Sequence, residues 1–483
     1  MFLQKLEKLT TEGHKMKKYL IFAAAIITIL TGCTMTEQAN YTYPEHCIPP
    51  DQERAEIALQ FAQPYAAAVV YKYYNRDKNN IPPYTLPQFT SKSVKDWEEV
   101  ERPRILKQVK ECFYGEMPPA PDFLDVELLT QVNDAFEGTA ILKEFRIHCR
   151  MKNGKKFHFD TMLVVPKNTK TPPPVFIGLN YSGNHAYTKE QSVQISRGME
   201  FSSKDRKFYP LSKYSRGQFD NQTWNFREAI KRGYAVATAS YWEICPDYWT
   251  GIKISPFTLF YDEKALRMDY EVSYHEAQAE KWTRPVGIIG AWAWGMSRIL
   301  DALEKEPLVD AKRAAVIGHS RLGKTALFAG VCDQRFKLVI SNNSGNGGAK
   351  LSRRKIGETL PVSYWFHRMW YCGKLAWYVD SAETLPFDQH MYLALIAPRA
   401  LCVASATEDL HADPEGEFLS TLNAEYIWKL YGHKGLGTDT MPATPKTLGS
   451  EKLFYNLREG KHAVTAKDWE CYYNVADKVF NMK

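Results

Sequence analysis

The sequence predicts an α/β protein: a mostly parallel, doubly wound sheet sandwiched by helices, with an N-terminal extension. Three observations carry that prediction. From residue 175 onward, short apolar strands alternate with helical stretches at the spacing a parallel sheet with crossover helices requires. A hairpin pattern comes before them: Ile141 to Met151 and Lys156 to Val165 alternate in polarity around Asn153-Gly154, which reads as a type I′ turn. The third is the stretch AAVIGHSRLGKTALFAG, Ala314 to Gly330. Ala314 to Ile317 read as a buried strand and Leu322 to Ala329 as a helix, so Gly318-His319-Ser320-Arg321 is the sharp turn between them.

Taken in order, the chain begins with a sorting signal. Lys15, Lys17 and Lys18 precede an apolar run, Tyr19 to Leu30, which is too short to span a bilayer and has the length of a signal-peptide core. It ends in Leu30-Thr31-Gly32-Cys33, which resembles a bacterial lipobox. That implies lipidation at Cys33 and removal of what precedes it; Met16 is a candidate start, since Met16 to Cys33 is a complete signal by itself, and an ordinary secretory signal or a short anchor is the alternative. The expected address is the bacterial cell envelope, periplasm or outer-membrane surface, with the membrane met only through the lipid.

Residues 34–50 read as a polar tether closing on Pro49-Pro50. Residues 51–120 read as a helical extension packed on the main domain, 121–483. Within the extension, Arg54 to Tyr74 and Trp97 to Tyr114 have helical spacing, Asn79 to Pro87 breaks it, and Met117-Pro118-Pro119 stops it. In the main domain, the strand Val175 to Leu179 leads into Asn180-Tyr181-Ser182-Gly183-Asn184, either a tight turn or the source of a second oxyanion donor. A helix from Phe226 to Lys231 and a strand from Tyr234 to Ala239 follow. The helix Val286 to Glu304, with Trp292, Trp294 and Ile299 toward the core, feeds the central turn. Beyond that turn come a strand Phe336 to Ile340, an aromatic stretch at 361–378, and a strand Leu401 to Ala406.

Composition narrows the function. The chain has 483 residues, 45% hydrophobic and 13% aromatic, enough for a sizeable core. Loss of residues 1–33 removes five basic and two acidic side chains, taking the net charge from +7 to +4. That is too small to point to nucleic acid, and no basic run clusters with aromatics. The eight remaining cysteines are scattered without C-x-x-C spacing, so no zinc site is expected; disulfides are permitted, but their pairing is not legible.

A serine on a strand-to-helix turn projects its hydroxyl beside the helix N-terminus, whose free N–H groups favour an oxyanion. This is the nucleophile elbow of an α/β-hydrolase, although the second glycine falls at 323 rather than 322, outside strict G-x-S-x-G. Gly318 to Thr325 also fits the phosphate-cradling P-loop pattern. A P-loop, however, follows an early strand and needs a later strand ending in aspartate, whereas Phe336 to Ile340 runs into Ser341-Asn342.

The hydroxyl needs a base, and the base needs a carboxylate. Among the histidines beyond residue 411, His462 sits where the fold places its base and His433 is the alternative. Asp409, directly after the strand Leu401 to Ala406, fits the acid; Glu408 and Asp413 are the alternatives, and capping the helix that starts near Pro414 is the bland role for one of them.

Four ordered motifs carry a family resemblance: G-x-S-R-x-G-K at the elbow, S-G-x-G-G after it, Asp-x-x-Ala-Asp-Pro-x-Gly-Glu-Phe at 409–418, and Gly-x-His-Ala-Val-Thr at 460–465. Over about residues 95–480 the chain resembles the glucuronoyl esterases of carbohydrate esterase family 15. The resemblance implies metal-free hydrolysis of the ester between 4-O-methyl-glucuronic acid on xylan and a lignin alcohol. It implies Ser320 as nucleophile, His462 as base, Arg321 as oxyanion stabiliser through its guanidinium and N–H, and Lys324 and Glu358 as ligands of the uronate.

Two positions depart from the pattern. Where many members carry the acid as glutamate before the Ser-Gly pair, this chain has Asn343, which puts the acid at Asp409. The tryptophan that packs on the sugar is His411 here, a smaller polar ring, and the aromatic stretch 361–378 is a candidate to replace its face. The competing functions are another polysaccharide carboxylesterase, such as an acetyl xylan esterase, and a catalytically silent carbohydrate-binding lipoprotein.

Overall fold

A computed structural model describes residues 75, 77–167, 169–202, 207–220, 222–267, 283–443 and 445–482. The signal segment with Cys33, the tether and the helix expected over Arg54 to Tyr74 lie outside the described residues. No helix among the described residues is long and apolar enough to cross a membrane.

Residues 94–114 run as one helix, α1, in which the π-turns Trp97–Glu101 and Lys110–Tyr114 flank the α-helical stretch Arg102–Val109. Its buried face is Trp97, Ile105, Val109, Phe113 and Tyr114, and that face docks α1 on the body of the protein. The helix stops at Gly115, ahead of the prolines expected to stop it. Gly115 has φ 84°, and a Cβ there would lie 2.3 Å from the Pro285 carbonyl oxygen.

The strands are β1 (Phe123–Asp134), β2 (Ala140–Arg150), β3 (Lys156–Pro166), β4 (Val175–Asn180), a small hairpin of β5 (Met199–Ser202) and β6 (Lys207–Pro210), β7 (Ala235–Ser240), β8 (Ala314–His319), β9 (Leu338–Asn342), β10 (Ala400–Ala406), β11 (Lys446–Leu448) and β12 (Leu453–Arg458). All but the β5–β6 hairpin form one sheet, ordered β1-β2-β3-β7-β4-β8-β9-β10-β12-β11. Pairing is parallel from β7 through β12 and antiparallel at both ends. This is the mostly parallel α/β-hydrolase sheet.

Two details differ from the sequence reading. The sheet begins one strand earlier, with β1, whose side chains are mostly exposed because it is the edge strand. The β2–β3 turn is also not type I′. Gly154 N–H donates to Met151 C=O and Met151 N–H to Lys155 C=O, and Gly154 has φ 86° while Asn153 stays at negative φ. A type I turn closed by a left-handed glycine fits these bonds; type I′ needs two left-handed residues.

Period-two alternation sorts the strand side chains onto two faces. Val175, Ile177, Val316, Val339, Leu401 and Val403 join one core, while Phe176, Ala315, Ile317, Ile340, Cys402 and Phe454 join the other. After α2 (Phe226–Lys231), which joins the second core through Phe226 and Ala229, the first core takes α3 (Ile288–Leu303), α4 (Arg321–Cys332) and, after the short helix α5 (Leu360–His367), α6 (Pro414–Leu430). The second takes α7 (Ala466–Phe480) through Trp469, Tyr472 and Tyr473. Every side chain of α3 from Ile288 to Leu300 is buried, so it is a core helix rather than an amphipathic one. The loops leaving the carboxyl ends of β8, β9, β10 and β12 gather on one rim, where such sheets place their ligands.

Candidate active site

The turn from β8 into α4 holds Ser320 at φ 58° and ψ −127°. That strained geometry is fixed from both sides: Ser320 N–H donates to the Asn342 carbonyl of β9 at 2.9 Å, and Ser320 C=O accepts from the amides of Gly323 at 2.8 Å and Lys324 at 3.1 Å. Gly318 is required, because a Cβ there would lie 1.8 Å from the Leu322 carbonyl oxygen. The displaced second glycine also has a physical reason. At Gly323 a Cβ would sit 3.1 Å from both the Asn342 carbonyl oxygen and Ser344 Cβ, so this is the position where α4 closes on β9, while Leu322 is simply buried. The amides of Arg321 and Leu322 open α4 without intrahelical acceptors and with the positive end of the helix behind them.

His462 lies in the loop between β12 and α7, its ring packed against that of His319 with centroids 4.4 Å apart. His319 adjoins Ser320, so this contact brings the imidazole to the elbow. On the far side of the ring, Nδ1 is 2.5 Å from Asp409 Oδ2. Asp409 is buried and also accepts from Asn343 Nδ2 at 2.7 Å and from Ala412 N–H at 3.3 Å. Burial works against its charge, but the hydrogen bond and charge of His462, helped by Asn343 and Ala412, outweigh it and hold the carboxyl below its ordinary value.

The rivals sit elsewhere. Glu408 is exposed, Asp413 pairs with Arg354 at 3.0 Å, and His433 faces Glu451 at 3.5 Å.

The elbow's other neighbours are charged. Arg321 extends to Asp247, whose second oxygen accepts Trp370 Nε1–H at 2.6 Å, and the guanidinium lies 5.0 Å from the Trp370 ring centre. Lys324 is buried and donates to the Ser344 carbonyl at 2.7 Å and to Glu358 Oε2 at 3.0 Å. Glu358 also accepts from Asn346 N–H at 3.1 Å. Burial opposes its ionisation, yet the charge of Lys324, then of His411, holds it below the ordinary carboxylate value.

His411 is exposed, and its carbonyl accepts Glu358 N–H at 2.7 Å. His367, which the sequence did not single out, stacks flat on Trp370 with centroids 3.8 Å apart; burial, then the Arg321 charge, hold its pKa well below the usual histidine value. Asp247 was missed as well. The loop Asn180 to Asn184 reaches the elbow through Tyr181, whose hydroxyl donates to the His319 carbonyl at 2.7 Å. Among the described residues, no cluster of His, Cys, Asp or Glu is placed to hold a metal ion.

Over 418 residues the chain is 35% identical to carbohydrate esterase MZ0003 of an unknown prokaryotic organism, covering 84% of this chain and 91% of that protein. A solved glucuronoyl esterase from Solibacter usitatus is 36% identical and superposes with a TM-score of 0.74 over 84% of this chain and 100% of the other. The chain belongs to carbohydrate esterase family 15, the glucuronoyl esterases. The family description "Glucuronyl esterase, fungi" matches residues 280–432, a span holding the elbow, Glu358 and the Asp409 loop. A structure described as a promiscuous family 15 esterase from the marine bacterial metagenome is 35% identical, with a TM-score of 0.72 over 84% of this chain and 99% of the other.

In this family 15 chain the two departures have visible surroundings. Asn343 donates to the carboxylate that binds His462, so an uncharged residue there does not leave the imidazole without an anion. Of the aromatic stretch, Tyr364, Trp370 and Tyr371 are buried as core, while Phe366 and Trp377 are exposed.

Proposed function

We propose that this chain is a serine esterase hydrolysing esters of glucuronic or 4-O-methyl-glucuronic acid on xylan, the links to lignin alcohols, through an acyl-enzyme on Ser320. The observation that carries the reading is the His462–Asp409 pair, joined at 2.5 Å and held against the nucleophile turn by the His319 ring.

The steps follow from the geometry. Asp409 accepts a hydrogen bond from the Nδ1–H and so keeps Nε2 free as the base. Ser320 Oγ attacks the ester carbonyl carbon as His462 takes its proton, and the negative charge on the carbonyl oxygen develops beside the α4 amides and the Arg321 guanidinium. His462 then protonates the leaving alcohol. Water, deprotonated by the same imidazole, attacks the acyl carbon; the bond to Ser320 Oγ breaks, the imidazolium returns its proton to that oxygen, and the uronate is released. The Lys324–Glu358 pair offers a cationic donor and an anionic acceptor to the hydroxyls of the sugar, and His411 stands at the rim where a ring would lie.

The signal pattern ending in Cys33 supports export and lipid anchoring in the cell envelope, with esters of glucuronoxylan as the substrate met there. Incubation of the intact protein with methyl or benzyl glucuronate tests the reading: methanol or benzyl alcohol is released by the wild type, and Ser320→Ala or His462→Ala lowers turnover by orders of magnitude. Unchanged turnover in Ser320→Ala overturns it. The exposed His411 favours a second reading, a wider ester range that includes acetylated xylan, and acetate release read in parallel decides between them.

A further inference from the structure

His462 sits on a surface loop with its side chain 41% exposed, and proton transfer needs its ring placed far more closely than a free loop provides. The placement comes from a buried polar chain that includes none of the four side chains proposed to act in catalysis, Ser320, His462, Asp409 and Arg321. Arg458, the last residue of β12, donates to the carbonyls of Lys461 at 2.8 Å and Ala463 at 2.6 Å, one on each side of His462. Its Nε donates to Asp468 Oδ2 at 2.6 Å. Asp468 is fully buried; Oδ2 also accepts the Thr465 amide and hydroxyl, both at 2.8 Å, and Oδ1 accepts Asn342 Nδ2 at 3.1 Å.

Asn342 then completes the connection. Its Nδ2 is committed to Asp468 and to the Tyr472 hydroxyl at 2.7 Å, so its Oδ1 faces His319 Nδ1 at 2.6 Å as an acceptor. Its backbone carbonyl receives the Ser320 amide. His319 therefore carries its proton on Nδ1 and leans on the His462 ring. Burial, then the His462 charge, push its pKa down to about 3, so it stays neutral while its neighbour turns cationic.

We propose that Asp468 is a positioning residue that sets His462 against Ser320, acting through Arg458 on the base loop and through Asn342 and His319 on the nucleophile turn. The inference rests on the reading of Ser320 and His462 as nucleophile and base. A helix cap alone would need only the Thr465 contacts; the bonds to Arg458 and Asn342 reach the ends of β12 and β9, the strands that lead to the base loop and flank the nucleophile turn.

The test uses a small fluorophosphonate, whose phosphorus bonds to Ser320 Oγ as fluoride leaves and the serine proton passes to His462, so that no sugar contact enters. The variants are Asp468→Asn, Asn342→Ala and His319→Phe, each measured as the inactivation rate constant of the folded fraction and as kcat and KM on methyl glucuronate. The expected result is a fall of about 10- to 100-fold in inactivation and kcat for the first two, a smaller fall for His319→Phe, and an unchanged KM. Where Asp468→Asn does not fold, the other two variants decide. Wild-type inactivation rates in folded variants with a lowered Tm would overturn the proposal and leave Asp468 a helix cap. A wild type that is not labelled at Ser320 would overturn the catalytic reading itself, and the inference with it.

Discussion

Asp409→Asn separates the charge of the proposed acid from its hydrogen-bonding shape. His462 Nδ1 and Asn343 Nδ2 both meet the same oxygen, Oδ2, at 2.5 and 2.7 Å, and Oδ1 meets the Ala412 amide at 3.3 Å. In the variant the amide oxygen takes the Oδ2 place, because the reverse orientation aims an NH2 group at two donors. The tautomer of His462 is then kept, and the negative charge facing the imidazolium is lost. Two unit charges about 4 Å apart at an effective dielectric of about 20 interact by about 4 kcal/mol. That is about three powers of ten in rate. Asn343→Ala removes one neutral donor and leaves the charge in place, in ground and transition state alike, so its cost in kcat is about tenfold or less. The assay is steady-state turnover of methyl glucuronate with each variant. An Asp409→Asn enzyme within about tenfold of wild type, or an Asn343→Ala enzyme that is the worse of the two, refutes the assignment of the acid.

Glu358 has a folded pKa below its unfolded one, so its contribution to stability is fully present above the unfolded value and is lost as pH falls through the folded value; melting temperatures of Glu358→Gln should fall less steeply with acid in that window, and parallel curves would count against the Lys324 pairing. Glu243 runs the other way: burial, then Asp160, push it up to about 7, so its contribution to stability is fully present below its ordinary 4.5 and is lost as pH rises through about 7. Glu243→Gln, which keeps an acceptor for the Ser196 hydroxyl and the Arg197 amide, should flatten that decline in thermal melts. Gly318→Ala places a Cβ 1.8 Å from the Leu322 carbonyl oxygen and should cost about 3 kcal/mol of stability together with serine labelling, read by Tm and fluorophosphonate incorporation. Asp247→Asn keeps the acceptor for Trp370 but unpairs Arg321, and glucuronate should then inhibit at least about tenfold more strongly in product-inhibition kinetics.

How far the site was legible follows from how each residue makes its contacts. The elbow could be read because its signal is local: an apolar strand, a glycine forced by a close carbonyl, a serine and a helix lie within seventeen positions, Ala314 to Gly330. Asp409 and His462 could be placed because each follows or closes an element whose order the fold fixes, though β12 itself, LFYNLR, is too short and too uniformly buried to show a period. Asp247, His367 and His319 were silent for the opposite reason. Asp247 meets Arg321 across 74 positions and Trp370 across 123, and no pattern in either neighbourhood records it. His319 hid as an ordinary turn residue, since its partner Asn342 is on the next strand and His462 on a loop far downstream. The edge strand β1 escaped because it is mostly exposed and so lacks the alternation that marks a half-buried strand.

The pairing of the two cations has a chemical sense that the elbow alone does not show. The proposed substrate enters as a neutral ester and the product leaves as a carboxylate, so a site with free Arg321 and Lys324 would bind what it makes more tightly than what it uses. Here each cation already faces a buried carboxylate, Arg321 with Asp247 and Lys324 with Glu358. That cancels much of their pull on a released anion at the distance where it dissociates. For the carbonyl oxygen proposed to sit in contact with the α4 amides and Arg321, the nearest donor outweighs the more distant counter-charge. Under the proposed mechanism the interaction is thereby weighted toward the short-lived oxyanion over the stable product. Trp370 serves both halves of this arrangement, since its indole N–H fixes Asp247 and its face lies 5.0 Å from the Arg321 guanidinium and 5.6 Å from Lys324 Nζ. A single buried ring thus meets both cations, and it does so from a stretch whose composition, taken alone, reads only as aromatic core.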